Sequence, residues 1–215
     1  MIFILNLRSS NCLSVSAALT YLGKESSLIY PNQIISLPER SLLIIPGVGS
    51  MASISEEIFS EIDHKILVDF IHSTRLRLFG ICLGFQFLFS NSSESINSQT
   101  LDLIPGSIEQ LYYPPKPSVG WFAVKENHSH SLDIELNELI NKKEFYFTHS
   151  YGLKLEESQN MLGFDMYTYQ PSACCDLFVI AMFGKFISGV QFHPEKSGRN
   201  GLKLLDYVVS SHIVK

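Results

Sequence analysis

The first half of the chain alternates between short, mostly apolar segments and longer segments with helical periodicity. The apolar segments are residues 2–7, 27–30, 42–45 and 76–81. Residues 13–22 and 53–71 lie between them, and the second of these carries an apolar residue every four positions, which predicts a helix packed on one face. Strands that are apolar on both faces occur in parallel sheets covered by helices on both sides. The alternation therefore predicts an α/β fold.

The second half predicts a different kind of strand. Short segments separated by turns follow one another at residues 107–112, 119–124, 145–148, 161–167, 177–183 and 186–192. Such segments, with little helix between them, predict antiparallel additions to a central, mostly parallel sheet. Residues 201–209 predict a closing helix, and the Ser- and Asn-rich residues 90–99 a surface loop. With 215 residues, the chain is expected to form one domain over 1–215.

Composition narrows the classes of function. Hydrophobic residues make up 46% of the chain and charged residues 17%, as in globular proteins. The formal net charge is −5 with scattered Lys and Arg, so no nucleic-acid partner is expected. The apolar runs are far shorter than the roughly 20 residues of a membrane helix, and no secretory signal is recognised, so no membrane association is expected. Cys12, Cys82, Cys174 and Cys175 give no disulfide framework, which favours reduced thiols in a cytoplasm.

Cys82 lies between Gly80 and Gly84, directly after an apolar strand and before a segment predicted to be helical over residues 83–89. Glycines on both sides allow the tight strand-to-helix turn that exposes a nucleophile. A helix N-terminus favours the anionic form of a thiol, and the amide of Leu83 is suited to half of an oxyanion hole. Cys82 is therefore a candidate nucleophile; the alternative is a small buried core residue.

His193 and Glu195 are separated by one proline near the end of the chain. A residue before proline is biased towards an extended conformation, in which positions two apart face the same side. Glu195 could then bind one imidazole nitrogen while the other faces a nucleophile, which is the base-and-orienter arrangement of a catalytic triad. Taken alone, His193 is better explained as a surface histidine in the loop after the strand.

Residues 46–49, Pro-Gly-Val-Gly, follow the end of a predicted strand. Open α/β sheets bind ligands at the carboxyl ends of their strands, and glycines there allow backbone amides to approach an oxyanion. The alternative for this segment is an ordinary turn that ends a strand.

Four segments together resemble a known family. They are residues 46–49 (PGVG), 80–86 (GICLGFQ), 145–151 (FYFTHSY) and 189–197 (GVQFHPEKS). In this order, and over nearly the full length of the chain, they are similar to the class I, triad-type glutamine amidotransferases. Within that family the chain most resembles the glutaminase subunits of imidazole glycerol phosphate synthases, to which residues 11–15, 119–121 and 201–205 also correspond.

The resemblance implies a flavodoxin-like α/β fold and hydrolysis of glutamine to glutamate and ammonia, with no metal and no cofactor. It implies that Cys82 attacks the carboxamide, that His193 moves the protons and that Glu195 holds His193. The implied substrate-binding residues are Gly49, Gln86, His149, Ser150 and Tyr151. The implied oxyanion-hole residues are Gly47, Val48 and Leu83.

The resemblance also implies a partner, a (β/α)8-barrel synthase subunit that receives the ammonia within a heterodimer. Trp121 and Lys196 correspond to positions at that subunit interface, and an exposed tryptophan is typical of an interface hot spot. The alternative for Trp121 is a place in the core.

Three departures from the family pattern leave the identity of the ammonia acceptor undecided. Ser118 stands where a histidine is usual, Ser10 where a glycine is common, and residues 100–103 replace a Gly-Leu-Gly-Leu type segment. One alternative is a paralogous subunit that supplies ammonia to a sugar-modifying synthetase of surface polysaccharides. Two further alternatives are a γ-glutamyl hydrolase or cysteine peptidase, and a scaffold that has lost activity.

Overall fold

In the computed structural model, the described residues are 1–8, 10–112, 117–126, 133–158, 163–170 and 176–214. The strands are β1 (Ile2–Leu5), β2 (Ser27–Ile29), β3 (Leu42–Gly47), β4 (Arg77–Cys82), β5 (Phe89–Ser92), β6 (Ile104–Gln110), β7 (Ser118–Ala123), β8 (Lys125–Glu126), β9 (Glu144–His149), β10 (Tyr151–Lys154), β11 (Asp165–Tyr169), β12 (Phe178–Phe183) and β13 (Ile187–Val190). The helices are α1 (Cys12–Tyr21), α2 (Met51–Phe59), α3 (His64–Thr74), α4 (Leu83–Gln86), α5 (Ile134–Ile140) and α6 (Gly198–Val214). Short 3₁₀ helices cover Pro31–Ser36, Leu155–Ser158 and Pro194–Lys196.

A large mixed sheet organises the molecule in the order β2-β1-β3-β4-β13-β12-β10-β6-β5, with β11 and β8 attached beside β12. The strands from β2 to β13 are parallel to one another, and β12 introduces antiparallel pairing. The predicted α/β class with a central, mostly parallel sheet and antiparallel additions is confirmed. Because β3, β4 and β13 are adjacent and parallel, the segments that follow them leave the sheet at the same edge.

Both faces of the sheet are buried, which explains why its central strands carry no polar alternation. Leu42 and Ile44 of β3 enter the cluster beneath α1 and α6, whereas Leu43 and Ile45 enter the cluster beneath α2 and α3. All four side chains are at most 2% exposed. Burying each contributes about 2 kcal/mol by transfer from water, which favours a single register for β3.

The predicted helix over residues 53–71 is wrong in one respect, because the structure divides it into α2 and α3. Asp63 interrupts it: its side chain accepts a hydrogen bond from Ile66 N at 3.1 Å and caps α3. Ile62, between the helices, is only 7% exposed. The apolar period therefore continues across the break, and periodicity alone does not reveal it.

Other predicted elements also differ from the structure. The helix expected over residues 83–89 ends at Gln86, and Phe89 already begins β5, so the expected loop 90–99 starts with strand residues. Residues 186–192, expected as an antiparallel addition, contain β13, which is antiparallel to β12 but parallel to β4 on its other side. The segments 119–124 and 145–148 pair with each other as β7 and β9 in a separate two-stranded sheet. Helix α5 was not predicted.

Candidate active site

Cys82 occupies a strained turn between β4 and α4. Its backbone φ is 54° and ψ −108°, a combination that a residue with a side chain rarely adopts. A Cβ atom on Gly84 would lie 1.8 Å from the carbonyl oxygen of Ile45, and one on Gly80 would lie 2.5 Å from Phe85 Cα. Helix α4 thus packs directly on β3 and β4, and this contact between backbones maintains the strain at Cys82.

Helix α4 is only four residues long. The helix dipole grows with the number of aligned peptides, so one turn stabilises a thiolate less than the longer predicted helix would. A neighbouring cation therefore becomes more important for activating Cys82.

His193 and Glu195 form a fully buried pair beside this turn. His193 Nδ1 lies 2.8 Å from Glu195 Oε1, and both side chains have no exposed surface. His193 is extended as predicted, whereas Glu195 lies in the 3₁₀ helix Pro194–Lys196 rather than in an extended strand. The tight turn still brings the carboxylate back to the imidazole ring. The backbone amide of His193 donates to Tyr146 O of β9 at 2.9 Å, which fixes the position of the pair relative to the small sheet.

The surroundings of His193 favour its protonated form. Burial lowers the pKa of the imidazole, but interactions with Cys82 and Glu195 outweigh it and raise the pKa to about 9. Among the described residues, Nε2 has no hydrogen bond of good geometry, yet Cys82 is close enough to raise the pKa of the ring. At neutral pH the structure therefore places an imidazolium beside Cys82.

The sulfur atom of Cys82 contacts one acceptor and one donor. Its Sγ lies 3.7 Å from Thr148 O of β9 and 3.7 Å from Nε2 of Gln191. Cys82 is 6% exposed, so the candidate nucleophile is buried.

A buried polar network connects the nucleophile with the predicted substrate-binding residues. Gln86 Nε2 donates to Gln191 Oε1 and to Tyr151 O, both at 2.8 Å. His149 Nδ1 donates to the same carbonyl of Tyr151 at 2.8 Å. Burial lowers the pKa of His149 to about 4, so this ring is neutral at physiological pH. Both amide protons of Gln86 are thus used inside the protein, and its Oε1 is the atom left for a ligand.

The structure brings together the residues predicted for an oxyanion hole. Gly47 pairs with Cys82 across β3 and β4, and a Cβ atom on Gly47 would lie 2.4 Å from Gly84 N and 2.6 Å from Leu83 Cβ. Val48 is half-buried, and Gly49 is exposed with a φ of 100°. Ser50 then caps α2 by accepting from Ser53 N. Gly47, at the start of the segment 47–49, therefore lies against the start of α4.

Glu94 is a carboxylate that no sequence pattern singled out. Its Oε2 accepts a hydrogen bond from Met51 N at 3.0 Å, two residues after Gly49. Its neighbour Ser93 accepts from Gln110 N, and Gln110 is paired with Tyr151. Burial raises the pKa of Glu94, and the bond from Met51 opposes this. A single carboxylate in a Ser- and Asn-rich segment matches no sequence motif, so the sequence alone does not mark Glu94 as functional.

Trp121 and Lys196 lie on the surface close to the His193–Glu195 pair. Trp121 is 51% exposed, so its assignment to the core is excluded. Its ring meets the edge of Tyr146 with 6.0 Å between centroids, and its Cη2 lies 4.0 Å from the position of a Cβ on Gly198. Lys196 is exposed in the turn that carries Glu195. Exposed Val119 lies on the same strand as Trp121.

Three further predictions remain. Cys174 and Cys175 lie outside the described residues. In the described part of the chain, no group of three or more His, Cys, Asp or Glu side chains is arranged to hold a metal ion. The helices described there include none that is both long and apolar enough to span a membrane.

The fold is an open α/β sheet on which a cysteine lies beside a buried histidine–glutamate pair, an arrangement typical of cysteine-dependent hydrolases. The chain matches the model of the family described as Glutamine amidotransferase class-I over residues 4–207, and it belongs to this family. Glutamine hydrolysis is therefore its activity.

Curated relatives cover the chain almost completely. Imidazole glycerol phosphate synthase subunit HisH of Moorella thermoacetica is 34% identical over 209 residues, which is 95% of this chain and 91% of that protein. The subunit of the same name from Staphylococcus aureus is 30% identical over 215 residues, covering 100% and 99%.

Solved structures show the same fold. A crystal structure of a glutamine amidotransferase has a TM-score of 0.64 at 14% identity and covers 99% of both chains. The glutaminase domain of Trypanosoma brucei CTPS with bound acivicin has a TM-score of 0.63 at 13% identity, covering 100% of this chain and 94% of that one. At such identities the similarity concerns the fold alone.

Proposed function

We propose that the chain is the glutaminase subunit of an imidazole glycerol phosphate synthase and delivers ammonia to a synthase partner. The observation that carries the proposed chemistry is the buried His193–Glu195 pair beside the strained Cys82. The subfamily is proposed from the relatives named HisH, which cover nearly the full chain at 30–34% identity.

In the proposed reaction, Cys82 is the nucleophile and reacts as a thiolate, while His193 carries the proton as an imidazolium. The thiolate attacks the carboxamide carbon of glutamine, and the C–N bond breaks as His193 gives its proton to the leaving ammonia. This leaves a glutamyl thioester and a neutral imidazole. His193 then takes a proton from a water molecule, whose oxygen displaces the sulfur and releases glutamate. Glu195 stabilises the imidazolium in the first and last states.

Leu83 and the Gly47–Val48 segment are proposed to stabilise the oxyanion in both steps. The support is the close approach of Gly47 to Leu83, which allows amides of two segments to point at one oxygen. A residue with a Cβ does not fit at position 47, because that atom would overlap Leu83 and Gly84.

The substrate is proposed to lie between Gly49 on one side and Ser150 and Tyr151 on the other. Gln86 contributes its Oε1, since its amide protons are used by Tyr151 and Gln191. His149 is neutral and contributes through its hydrogen bond to the Tyr151 carbonyl, not through a positive charge. The α-ammonium group of glutamine needs an anion, and we assign this role to Glu94, a half-buried carboxylate bonded to Met51 N. Its neighbour Ser93 bonds Gln110, which is paired with Tyr151.

A Glu94→Gln variant tests this assignment. It keeps the size of the side chain and an oxygen that can accept from Met51 N, but it removes the charge. We expect KM for glutamine to rise roughly tenfold or more, since a charge-assisted hydrogen bond contributes about 1.5–3 kcal/mol, while kcat changes little. Steady-state glutaminase kinetics measure both. Glu61→Gln, an exposed carboxylate beyond the C-terminus of α2, is the matched control; an unchanged KM in Glu94→Gln would contradict the assignment.

The partner is proposed to be a (β/α)8-barrel synthase subunit that docks over Trp121 and Lys196. A half-exposed tryptophan with an exposed apolar neighbour, Val119, forms an apolar surface that docking would remove from water. The same surface lies directly over the turn that holds Glu195.

The test is to purify the chain with the barrel synthase of its own organism and measure glutamine-dependent formation of imidazole glycerol phosphate. Product formation supports the proposed pathway. If the chain hydrolyses glutamine but supports only amination of a sugar intermediate by another synthetase, the pathway is wrong and the glutaminase chemistry remains.

Trp121→Ala is expected to weaken the complex by roughly 30-fold or more in Kd, as for an aromatic hot spot that costs at least about 2 kcal/mol. Isothermal titration calorimetry with the barrel subunit measures this loss. Ile96→Ala is the control: Ile96 is 92% exposed but follows β5 of the large sheet, whereas Trp121 is on β7 of the two-stranded sheet. Equal affinities for the wild type and Trp121→Ala would argue against this surface.

A further inference from the structure

The loop between β1 and α1 contributes a side chain to the triad. Asn11 Nδ2 lies 2.5 Å from Glu195 Oε1, the same oxygen that accepts from His193 Nδ1. Among the described residues these are the two donors that reach the carboxylate. Asn11 stands at the N-cap position of α1, where asparagine commonly bonds a helix amide, but its side chain makes no capping bond. The amide is directed to Glu195 instead.

We propose that Asn11 is a positioning residue that holds the Glu195 carboxylate in line with His193. This inference rests on the proposed glutaminase function. A buried carboxylate with a single donor can rotate or exchange its acceptor oxygen, and a second donor on the same oxygen fixes the orientation of the group. Asn11 would thereby act on Cys82 only through Glu195 and His193.

The loop itself is tied down independently of the triad. Ser10 Oγ donates to Leu7 O at 2.9 Å, and Cys12 Sγ donates to Asn6 Oδ1 at 3.1 Å. Asn11 is therefore presented from a segment that is anchored on both sides. Leu13, two residues further on in α1, is 71% exposed, so the start of this helix also reaches the surface.

Two variants separate positioning from a merely structural role. Asn11→Ala removes the donor, and we expect kcat for glutamine hydrolysis to fall roughly ten- to hundredfold with KM nearly unchanged. Asn11→Asp keeps the shape but opposes Glu195 with a second carboxylate at neutral pH. Its kcat should fall further than that of Asn11→Ala and recover partly towards about pH 5, where the introduced carboxyl group can be protonated and donate again.

The control is Ser10→Ala, which removes a loop hydrogen bond next to Asn11 but leaves the triad untouched. If Asn11→Ala and Asn11→Asp lose kcat equally at every pH, and this loss parallels the loss of Tm, Asn11 has a structural role. That result would overturn the proposal. Wild-type kcat in both variants would overturn it as well.

Alkylation of Cys82 by iodoacetamide provides a readout that does not require glutaminase activity. The titratable groups that act on His193 are Cys82, Glu195 and His149. When Glu195 is no longer held, the pKa of His193 should move down from about 9 towards its ordinary value of 6.5. Less imidazolium then faces the sulfur at neutral pH, so alkylation should slow there and its pH profile should shift to higher pH. An unshifted profile in Asn11→Ala overturns the positioning role. Failure of the wild type to hydrolyse glutamine would instead overturn the proposed function and leave this measurement valid.

Discussion

Replacing Cys82 by alanine should abolish glutamine hydrolysis while leaving the protein folded. The thiol is the proposed nucleophile, and removing one member of a triad typically lowers kcat by about 10⁴-fold or more. The side chain is small and its Sγ makes two contacts at 3.7 Å, so the fold should lose little. Glutamate release and the thermal midpoint of unfolding measure the two effects.

The same variant separates the production of ammonia from its use. In complex with the synthase partner, Cys82→Ala should restore product formation when ammonium salts replace glutamine, because the acceptor chemistry belongs to the partner. Cys12→Ser is the control: Cys12 is the other free cysteine in the described part of the chain, and serine can still donate to Asn6. If ammonium does not rescue the complex, the proposed division of labour fails; if Cys82→Ala still hydrolyses glutamine, the proposed nucleophile is wrong.

Local sequence patterns were sufficient to predict an element of the fold where a single physical cause determines that element. Strands β1, β3 and β4 are buried on both faces, so their apolar segments predicted a covered parallel sheet. Likewise, glycines at 80 and 84 predicted a tight turn, since a Cβ at either position would overlap the neighbouring backbone. These constraints act over a few residues and remain visible in the sequence.

Interactions between distant segments were not predictable in the same way. The period of isoleucines from α2 to α3 hides the cap at Asp63, because Ile62 stays buried between the helices. Nothing in the sequence around Asn11 indicates its bond to Glu195, 184 residues away. Glu94 is similar: its bond to Met51 depends on how the segment after β5 packs against α2. Such contacts follow from the assembled sheet and require the structure.

The strained turn at Cys82 should depend on Gly84 more than on any side chain around it. A Cβ at this position would lie 1.8 Å from the carbonyl oxygen of Ile45, whereas an ordinary contact is about 3.4 Å. Gly84→Ala therefore requires β3 and α4 to separate by roughly 1 Å or more. Both partners are backbone atoms, so no side-chain rotation relieves the overlap. We expect a loss of about 3 kcal/mol in the free energy of unfolding, at the upper end for overpacked cores.

The effect on activity should exceed the effect on stability. Separating α4 from β3 moves Cys82 away from His193 and the Leu83 amide away from Gly47, and a displacement of about 1 Å in a catalytic group can cost roughly 100-fold in rate. Urea unfolding and glutaminase kinetics on Gly84→Ala measure the two losses. Gly152→Ala is the matched control, because a Cβ at Gly152 meets only side-chain atoms at 3.5 Å or more. If Gly84→Ala resembled Gly152→Ala in both measurements, the packing of α4 on β3 would not be what holds Cys82 in its strained conformation.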